Sequence, residues 1–380
     1  DCFRSMLREV DTVARLGGDE FAILLNDVPD AEAAMRLAER LVDAFRKPYK
    51  LKGHEICSTL SLGLVMSGPK YDTAEAMLRD ADAAMYQAKS TGKSRVQLFD
   101  EKMHRAALRR INTERELMRA TQDMDAMDRC FRLHYQPIVD LYDGKIAGYE
   151  ALIRWEHPER GLISPDMFIP IAEESGAIVP LGEWTFQRAC EQMVEWRRQI
   201  GPGRPLMVNV NMSRRQLAHP GLLPMLKRIR QQTGVRCQDV KLELTETAMM
   251  DSRIDAINIM NEIRAMGIDL AMDDFGTGQS SLSCLRQFPI RTLKIDREFL
   301  LNITHKREFS AVVHAIIALA HNLNLDVVAE GLENESQLAQ LQAMDCRYAQ
   351  GHLFSTAVDS VLATQFLDGG LPYFCNMSAA

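Results

Sequence analysis

No stretch of this chain is apolar for long enough to cross a bilayer. The longest strongly apolar helical candidate, residues 311–325, is interrupted by His314, His321 and Asn322 and falls short of the ~20 residues a membrane span needs. No signal peptide is expected before it. The eight cysteines, at positions 2, 57, 130, 190, 237, 284, 346 and 375, contain no CxxC pair, which argues against a zinc ribbon or a disulfide framework. A reducing, cytoplasmic location is therefore expected. A basic excess is also missing. The net charge of -7 leaves no footprint for duplex nucleic acid, so any phosphate ligand must be held by local metals or by a few Arg and Lys. Proline and glycine are absent from residues 101–128, which predicts a helical linker. Its apolar positions, Met103, Ala107, Ile111, Leu117, Met118 and Met124, share roughly one helical face but sustain no clean coiled-coil heptad. What is present is 46% apolar content over 380 residues, enough for two or more globular domains. The first residue is Asp1, and the chain reads as a piece of a longer protein whose upstream part could carry a sensory or membrane region.

The N-terminal part has short α/β character. TVARL, GGDE and FAILL over residues 12–25 read as strand, turn, strand, the glycines supplying positive φ. A helix follows over 31–45. Then come a hairpin of residues 49–52 and 55–64 turning at Gly53, and a helix over 73–91 opened by Thr73.

From residue 131 onward, short strand-like runs alternate with helical periodicity, and the runs end in polar groups. LMVNVN ends at Asn211, VKLE at Glu243, IDLAMD at Asp273, TLK at Lys294 and DVVAE at Glu330, while IAGYEALIRW carries Glu150 within it. Such ends gather on one rim of a parallel βα sheet or barrel, where these folds place active sites. Several carboxylates at one spot repel one another unless divalent cations neutralise them. Metal-dependent phosphate-ester hydrolysis is the simplest chemical reading.

Strand alternation puts Glu150, Leu152 and Arg154 on one face, and Asn209 with Asn211 on another. The adjacent carboxylates Asp273 and Asp274 suit two cations in an in-line phosphoryl displacement. Lys294 alternates with Asp296 and is placed to acidify or orient a water. Taken singly, each has a plain structural alternative: a rim salt bridge, a turn-closing Asn, a helix cap or a solvated lysine. Six such accidents at matching strand ends are needed to explain the whole set.

Residues 130–365 resemble an EAL domain, the cyclic di-GMP phosphodiesterase family. The motifs are QP at Gln136, EALIRW at Glu150, the segment Phe168–Trp184, VNMS at Asn211, LELTE at Glu243 and Glu246, DDFGTG at Asp273, LKID at Lys294, VVAEGLE at Glu330 and Glu333, and QGHLF at Gln350. The resemblance implies a modified TIM (β/α)8 barrel with its first strand antiparallel. It also implies two Mg or Mn ions on Glu150, Asn211, Glu243, Asp273, Asp274 and Glu330. Lys294, Asp296 and Gln350 would border the nucleophilic water, with Glu150 also catalytic. Gln136, Leu152, Arg154 and Glu333 would face the nucleotide, and Glu246 would steady the DDFGTG loop, which in this family couples metal binding to homodimer contacts. Gln279 stands where the family usually has Tyr, His352 replaces a Tyr, and STAVD over 355–359 departs from the usual tail.

Upstream, RLGGDEFAILL and ADAAMYQAKSTGK resemble a GGDEF domain, the diguanylate cyclase family. Arg8 and Asp11 match its inhibitory RxxD site for cyclic di-GMP, with a surface ion pair as the plainer alternative. The first half of that family's domain would precede residue 1, so this chain is expected not to synthesise cyclic di-GMP. The sequence thus predicts an α/β chain: a partial GGDEF domain over 1–100, a linker over 101–128 and an EAL barrel over 129–370. Its expected activity is hydrolysis of cyclic di-GMP to linear pGpG. The rival readings are a noncatalytic cyclic di-GMP receptor and part of a bifunctional cyclase/phosphodiesterase.

Overall fold

The computed structural model describes residues 3, 6–46, 49–51, 54–56, 58–90, 92–201, 203–250, 255–276, 285, 287–304, 306–371 and 373. The chain packs as two compact units, Asp1–Thr113 and Glu114–Ala380.

In the first unit, β1 (Thr12–Gly17) and β2 (Glu20–Leu24) form the expected antiparallel hairpin, and Gly18 at its tip has φ +52°. Helix Ala31–Arg46 buries Ala34, Ala38, Leu41 and Val42, the i, i+4, i+7, i+8 stripe of an amphipathic helix. The expected hairpin of 49–52 with 55–64 is only partly formed. β3 (Tyr49–Leu51) and β4 (His54–Ile56) pair antiparallel, but β5 (Leu62–Leu64) pairs in parallel with β6 (Val96–Leu98); Gly53 lies outside the described residues. A close approach accompanies that pairing: a Cβ on Gly63 would sit 2.0 Å from Ala81 O and 2.3 Å from Met85 N. The bare backbone lets β5 lie on helix Ala74–Ser90.

The single helix expected over 101–128 is two. Helix Glu101–Ala120 ends before Asp123, whose Oδ1 accepts from Ala126 N at 2.7 Å and starts helix Met124–Cys130. Leu117 and Met127 enter the core of the second unit, whereas Ile111 and Met118 stay exposed. The side chains of Met103 and Ala107 are outside those described.

The second unit is a closed eight-stranded barrel. Its strands are β7 (Phe131–Asp140), β8 (Ile146–His157), β10 (Met207–Asn211), β11 (Val240–Thr245), β12 (Asp269–Phe275), β13 (Thr292–Ile295), β14 (Asp326–Glu330) and β15 (Tyr348–Gln350), with β9 (Gly161–Ile163) as a hairpin on β8. Pairing runs in parallel from β8 through β10 to β15, and β7 closes the ring antiparallel to both β15 and β8. The expected barrel with a reversed first strand is what the chain forms. Period-two alternation explains its two-faced strands. Val240, Leu242, Leu244, Leu293 and Ile295 belong to the hydrophobic core, while Lys241, Glu243, Thr292 and Lys294 occupy the alternate positions. They too are buried, at 4%, 1%, 0% and 1% exposure. A barrel interior is ordinarily filled by apolar layers; here polar and charged groups take that place. Among the described residues, no helix is long and apolar enough to cross a membrane.

Candidate active site

Lys294 is the hub. Its Nζ lies 2.6 Å from Glu330 Oε1, 2.7 Å from Glu243 Oε2, 3.4 Å from Asp273 Oδ1 and 3.5 Å from Glu150 Oε2. Four different strands supply these carboxylates and a fifth supplies the cation. Amide donors fix the carboxylates from behind. Asn211 Nδ2 donates to Glu150 Oε1 and Asn209 Nδ2 to Glu243 Oε1, both at 2.6 Å. Gln350 Nε2 donates to Glu150 Oε2 at 2.7 Å and to Gln136 Oε1 at 2.9 Å. The reversed β7 puts Gln136 opposite Glu150 in register, so the antiparallel strand still delivers a side chain to the site.

Adjacent residues of a regular strand face opposite ways, yet Asp273, Asp274 and Glu330 offer carboxylate oxygens within 4.8 Å of one another. Two features accompany this. The β12–β13 register is irregular between Met272 and Phe275, and Asp274 has φ +55°, a left-handed conformation that Asp tolerates better than most residues. Such an irregularity re-aims side chains at a strand end. Asp296 caps helix Arg297–Leu301 by accepting from Glu298 N at 2.7 Å and also hydrogen-bonds the Asp274 carboxyl.

The electrostatics follow from one ammonium facing four carboxylates in a buried ring. Burial works against the Lys294 ammonium, but Asp273, Glu150, Glu243 and Glu330 together push it well above the usual lysine range. Burial raises Glu243 to about 8, the carboxylates of Glu150 and Asp273 adding to the rise and Lys294 opposing it. Glu330 is likewise raised by burial, against Lys294. Burial also raises Asp274, to about 6, assisted by Asp273 and Asp296. Glu150 goes the other way: burial would raise it, yet Lys294, Gln350 and Asn211 hold it below the carboxylate range. The ring carries more acid groups than its cation can neutralise. Its donors are hard oxygens, and Gln350 Oε1 is buried with no hydrogen-bond partner among the described residues. A donor set of this kind suits a hard divalent cation rather than a soft metal.

The remaining expected residues fall as follows. Leu152 and Arg154 are partly buried on the Glu150 face; burial lowers the Arg154 guanidinium against the pull of Glu150. Glu333 is exposed beyond β14, its N–H donating to Gln337 Oε1 at 2.8 Å. Glu246 begins the short helix Glu246–Met249 and is buried, with Oε2 unpartnered among the described residues. Gln279 and the rest of the loop over 277–284 lie outside the described residues. Arg8 and Asp11, in the first unit, make a turn: Arg8 N donates to Asp11 Oδ2 at 2.9 Å and Asp11 N to Arg8 O at 3.0 Å. The contact runs through the backbone of Arg8, and Asp11 Oδ1 also accepts from Asn26 N at 3.2 Å. Two buried residues escaped assignment to the site. Asn209 shares a face with Asn211 and orients Glu243. Lys241 precedes Glu243 by two positions, and its Nζ donates to Thr292 Oγ1 at 2.7 Å. Alternation counted back from Glu243 was the signal for Lys241.

Residues 117–357 match the EAL domain family and residues 1–95 the family described as diguanylate cyclase, GGDEF domain. The bifunctional diguanylate cyclase/cyclic di-GMP phosphodiesterase MucR of Pseudomonas aeruginosa is 38% identical over 92% of this chain and 50% of its own length. The cyclic di-GMP phosphodiesterase NbdA of the same organism is 36% identical over 96% of this chain and 46% of its own length. The chain thus spans about half the length of these curated relatives. Among solved structures, the EAL enzyme Bd1971 with cAMP and cyclic di-GMP bound aligns with a TM-score of 0.64 at 38% identity, covering 69% of this chain and 70% of that one. The MucR phosphodiesterase in complex with cyclic di-GMP aligns with a TM-score of 0.61 at 38% identity, covering 65% of this chain and 99% of that one. With the same barrel and the motifs at its strand ends, the chain belongs to the EAL domain family of cyclic di-GMP phosphodiesterases and carries a GGDEF region ahead of its barrel.

Proposed function

We propose that this chain hydrolyses cyclic di-GMP to linear pGpG with two divalent cations, Mg or Mn. The observation that carries the proposal is the ring of four carboxylates on a single buried ammonium, an arrangement left short of positive charge by itself. Glu150, Asn211, Glu243, Asp273, Asp274 and Glu330 would hold the ions. When bound, such ions neutralise charge on a phosphodiester and lower the pKa of water. The protein's own groups do the rest. Lys294 holds the carboxylates in register and, with Asp296 and Gln350, orients the attacking water. Water adds at phosphorus as the P–O3′ bond breaks, giving a free 3′-hydroxyl and a 5′-phosphate. Gln136, Leu152, Arg154 and Glu333 would contact the nucleotide, and the Arg154 guanidinium supplies positive charge on the Glu150 face. Glu246 would support the loop after Asp274, through which two copies would pair. Arg8 and Asp11 would take cyclic di-GMP as a regulatory ligand. Domain limits of 1–100, 101–128 and 129–370 complete the proposal.

The decisive experiment incubates the chain with cyclic di-GMP and Mg and separates the nucleotides by chromatography. Wild type should yield pGpG, and Glu150→Ala should lose at least about a thousandfold in rate, because one residue serves both as ion ligand and as acceptor for Asn211 and Gln350. Near wild-type turnover by that variant would overturn the mechanism. Intact cyclic di-GMP bound but not opened by the wild type would mark a receptor.

A further inference from the structure

Lys241 is a buried cation that the proposed reaction does not use. It lies on β11 two residues before Glu243, so the two side chains point the same way, one layer apart. Its Nζ donates to Thr292 Oγ1, and Thr292 stands two residues before Lys294 on β13. Lys241 and Thr292 are 4% and 0% exposed, so bulk solvent does not screen the charge directly. The charged groups acting on it are Asp326, Glu243, Lys294 and Arg291. Asp326 is the register partner of Thr292 on β14. A pair of ammonium groups is therefore stacked inside the barrel: Lys294 within the carboxylate ring, Lys241 beneath it.

We propose that Lys241 is a positioning residue that sets the divalent-cation affinity of the site, its charge held by Thr292 beneath Glu243 and opposing cation binding in the ring above. The inference rests on the reading that the carboxylate ring takes metal. Two residues of strand span ~6.6 Å. A unit charge about 7 Å from a divalent cation changes its affinity close to tenfold even with the screening of bulk water, and by more in a protein interior. The ring thereby avoids holding cations so tightly that the carboxylates are fixed in one arrangement, while Lys294 remains the only ammonium in contact with them among the described residues.

The test is isothermal titration of Mg, and separately Mn, into the whole chain at neutral pH, without nucleotide. Lys241→Met and Lys241→Gln both remove the charge, and Gln keeps a donor for Thr292. Both should bind Mg at least about tenfold more tightly than wild type. Thr292→Ser keeps both the charge and its hydroxyl partner, and should not bind more tightly. Loss of packing alone would weaken metal binding, so the sign separates charge from structure. In turnover assays the Mg concentration for half-maximal rate should fall in parallel. Neutral variants that bind Mg no more tightly than a wild type that does bind it overturn the inference and leave the proposed function standing. Failure of both to fold would assign Lys241 to packing and overturn it too. A wild type with no measurable Mg or Mn binding removes the metal reading itself.

Discussion

Removing the hub cation is the most direct way to test how the ring is held together. Lys294→Met deletes the ammonium that contacts Glu330 at 2.6 Å and Glu243 at 2.7 Å, with Asp273 and Glu150 at 3.4 and 3.5 Å. The four carboxylates still face one another, Glu150 and Glu243 buried and Asp273 and Glu330 half-buried. Breaking a buried ion pair by deleting one partner costs about 3–5 kcal/mol. For a unit of this size each kcal/mol shifts the melting temperature by about 2–4 °C, so in chelator at pH 8 the midpoint should fall by roughly 6–20 °C. The loss should shrink toward pH 5.5, because protonation then relieves the carboxylate repulsion the lysine had been opposing. Added Mg should restore part of it by supplying the missing charge. Differential scanning calorimetry with and without Mg, at the two pH values, measures all three effects. A metal-free variant within ~0.5 kcal/mol of wild type at pH 8 would show that the four contacts do not hold the ring.

Three further outcomes are expected. Wild type in chelator should lose stability as pH rises: folded-state pKa values raised to about 8 for Glu243 and about 6 for Asp274 mean the folded state binds more protons than the unfolded one above about pH 4.5, so their contribution declines until pH passes the folded values. Urea midpoints that rise between pH 5.5 and 8 without metal would contradict that sign. Ca in place of Mg should permit nucleotide binding yet suppress hydrolysis, because its longer bonds and higher coordination number misplace the attacking water; full activity in Ca alone is the refuting result of the chromatographic assay. Asp128 accepts from Trp184 Nε1 at 2.7 Å and Arg188 Nε at 3.0 Å, tying helix Met124–Cys130 to helix Ile178–Ile200. Asp128→Ala strands the indole N–H and should cost about 1–2 kcal/mol in urea unfolding, whereas an unchanged midpoint would mean the tie is not stabilising.

Much of the barrel was legible in the chain because strand alternation and strand-end chemistry are local. VKLE, TLK and DVVAE announced Glu243, Lys294 and Glu330 as polar ends of buried strands, and the two acids meet at the ammonium of the lysine. The pairing of β5 was not legible: its apolar run continues residues 55–64 as if one strand of the hairpin with 49–52, but the close approach at Gly63 seats it on helix Ala74–Ser90 and beside β6, a distant segment. A similar limit applied to the linker, where helical composition ran on past residue 120 while the Asp123 cap started a new helix.

The sequence by itself determined which residues could bind metal or move a proton, and on which face of each strand they lie, since side-chain direction follows from period-two backbone geometry. Only the tertiary structure decided how many acids share one cation, that Asn209 and Asn211 serve different carboxylates, that the reversed β7 brings Gln136 opposite Glu150, and that Lys241 sits stacked beneath the ring. It also decided that Asp273 and Asp274 present their carboxylates together, where the register of β12 is irregular and Asp274 has a positive φ. These depend on ring closure among strands far apart in the chain, where distance, burial and charge are set jointly and no local pattern records them.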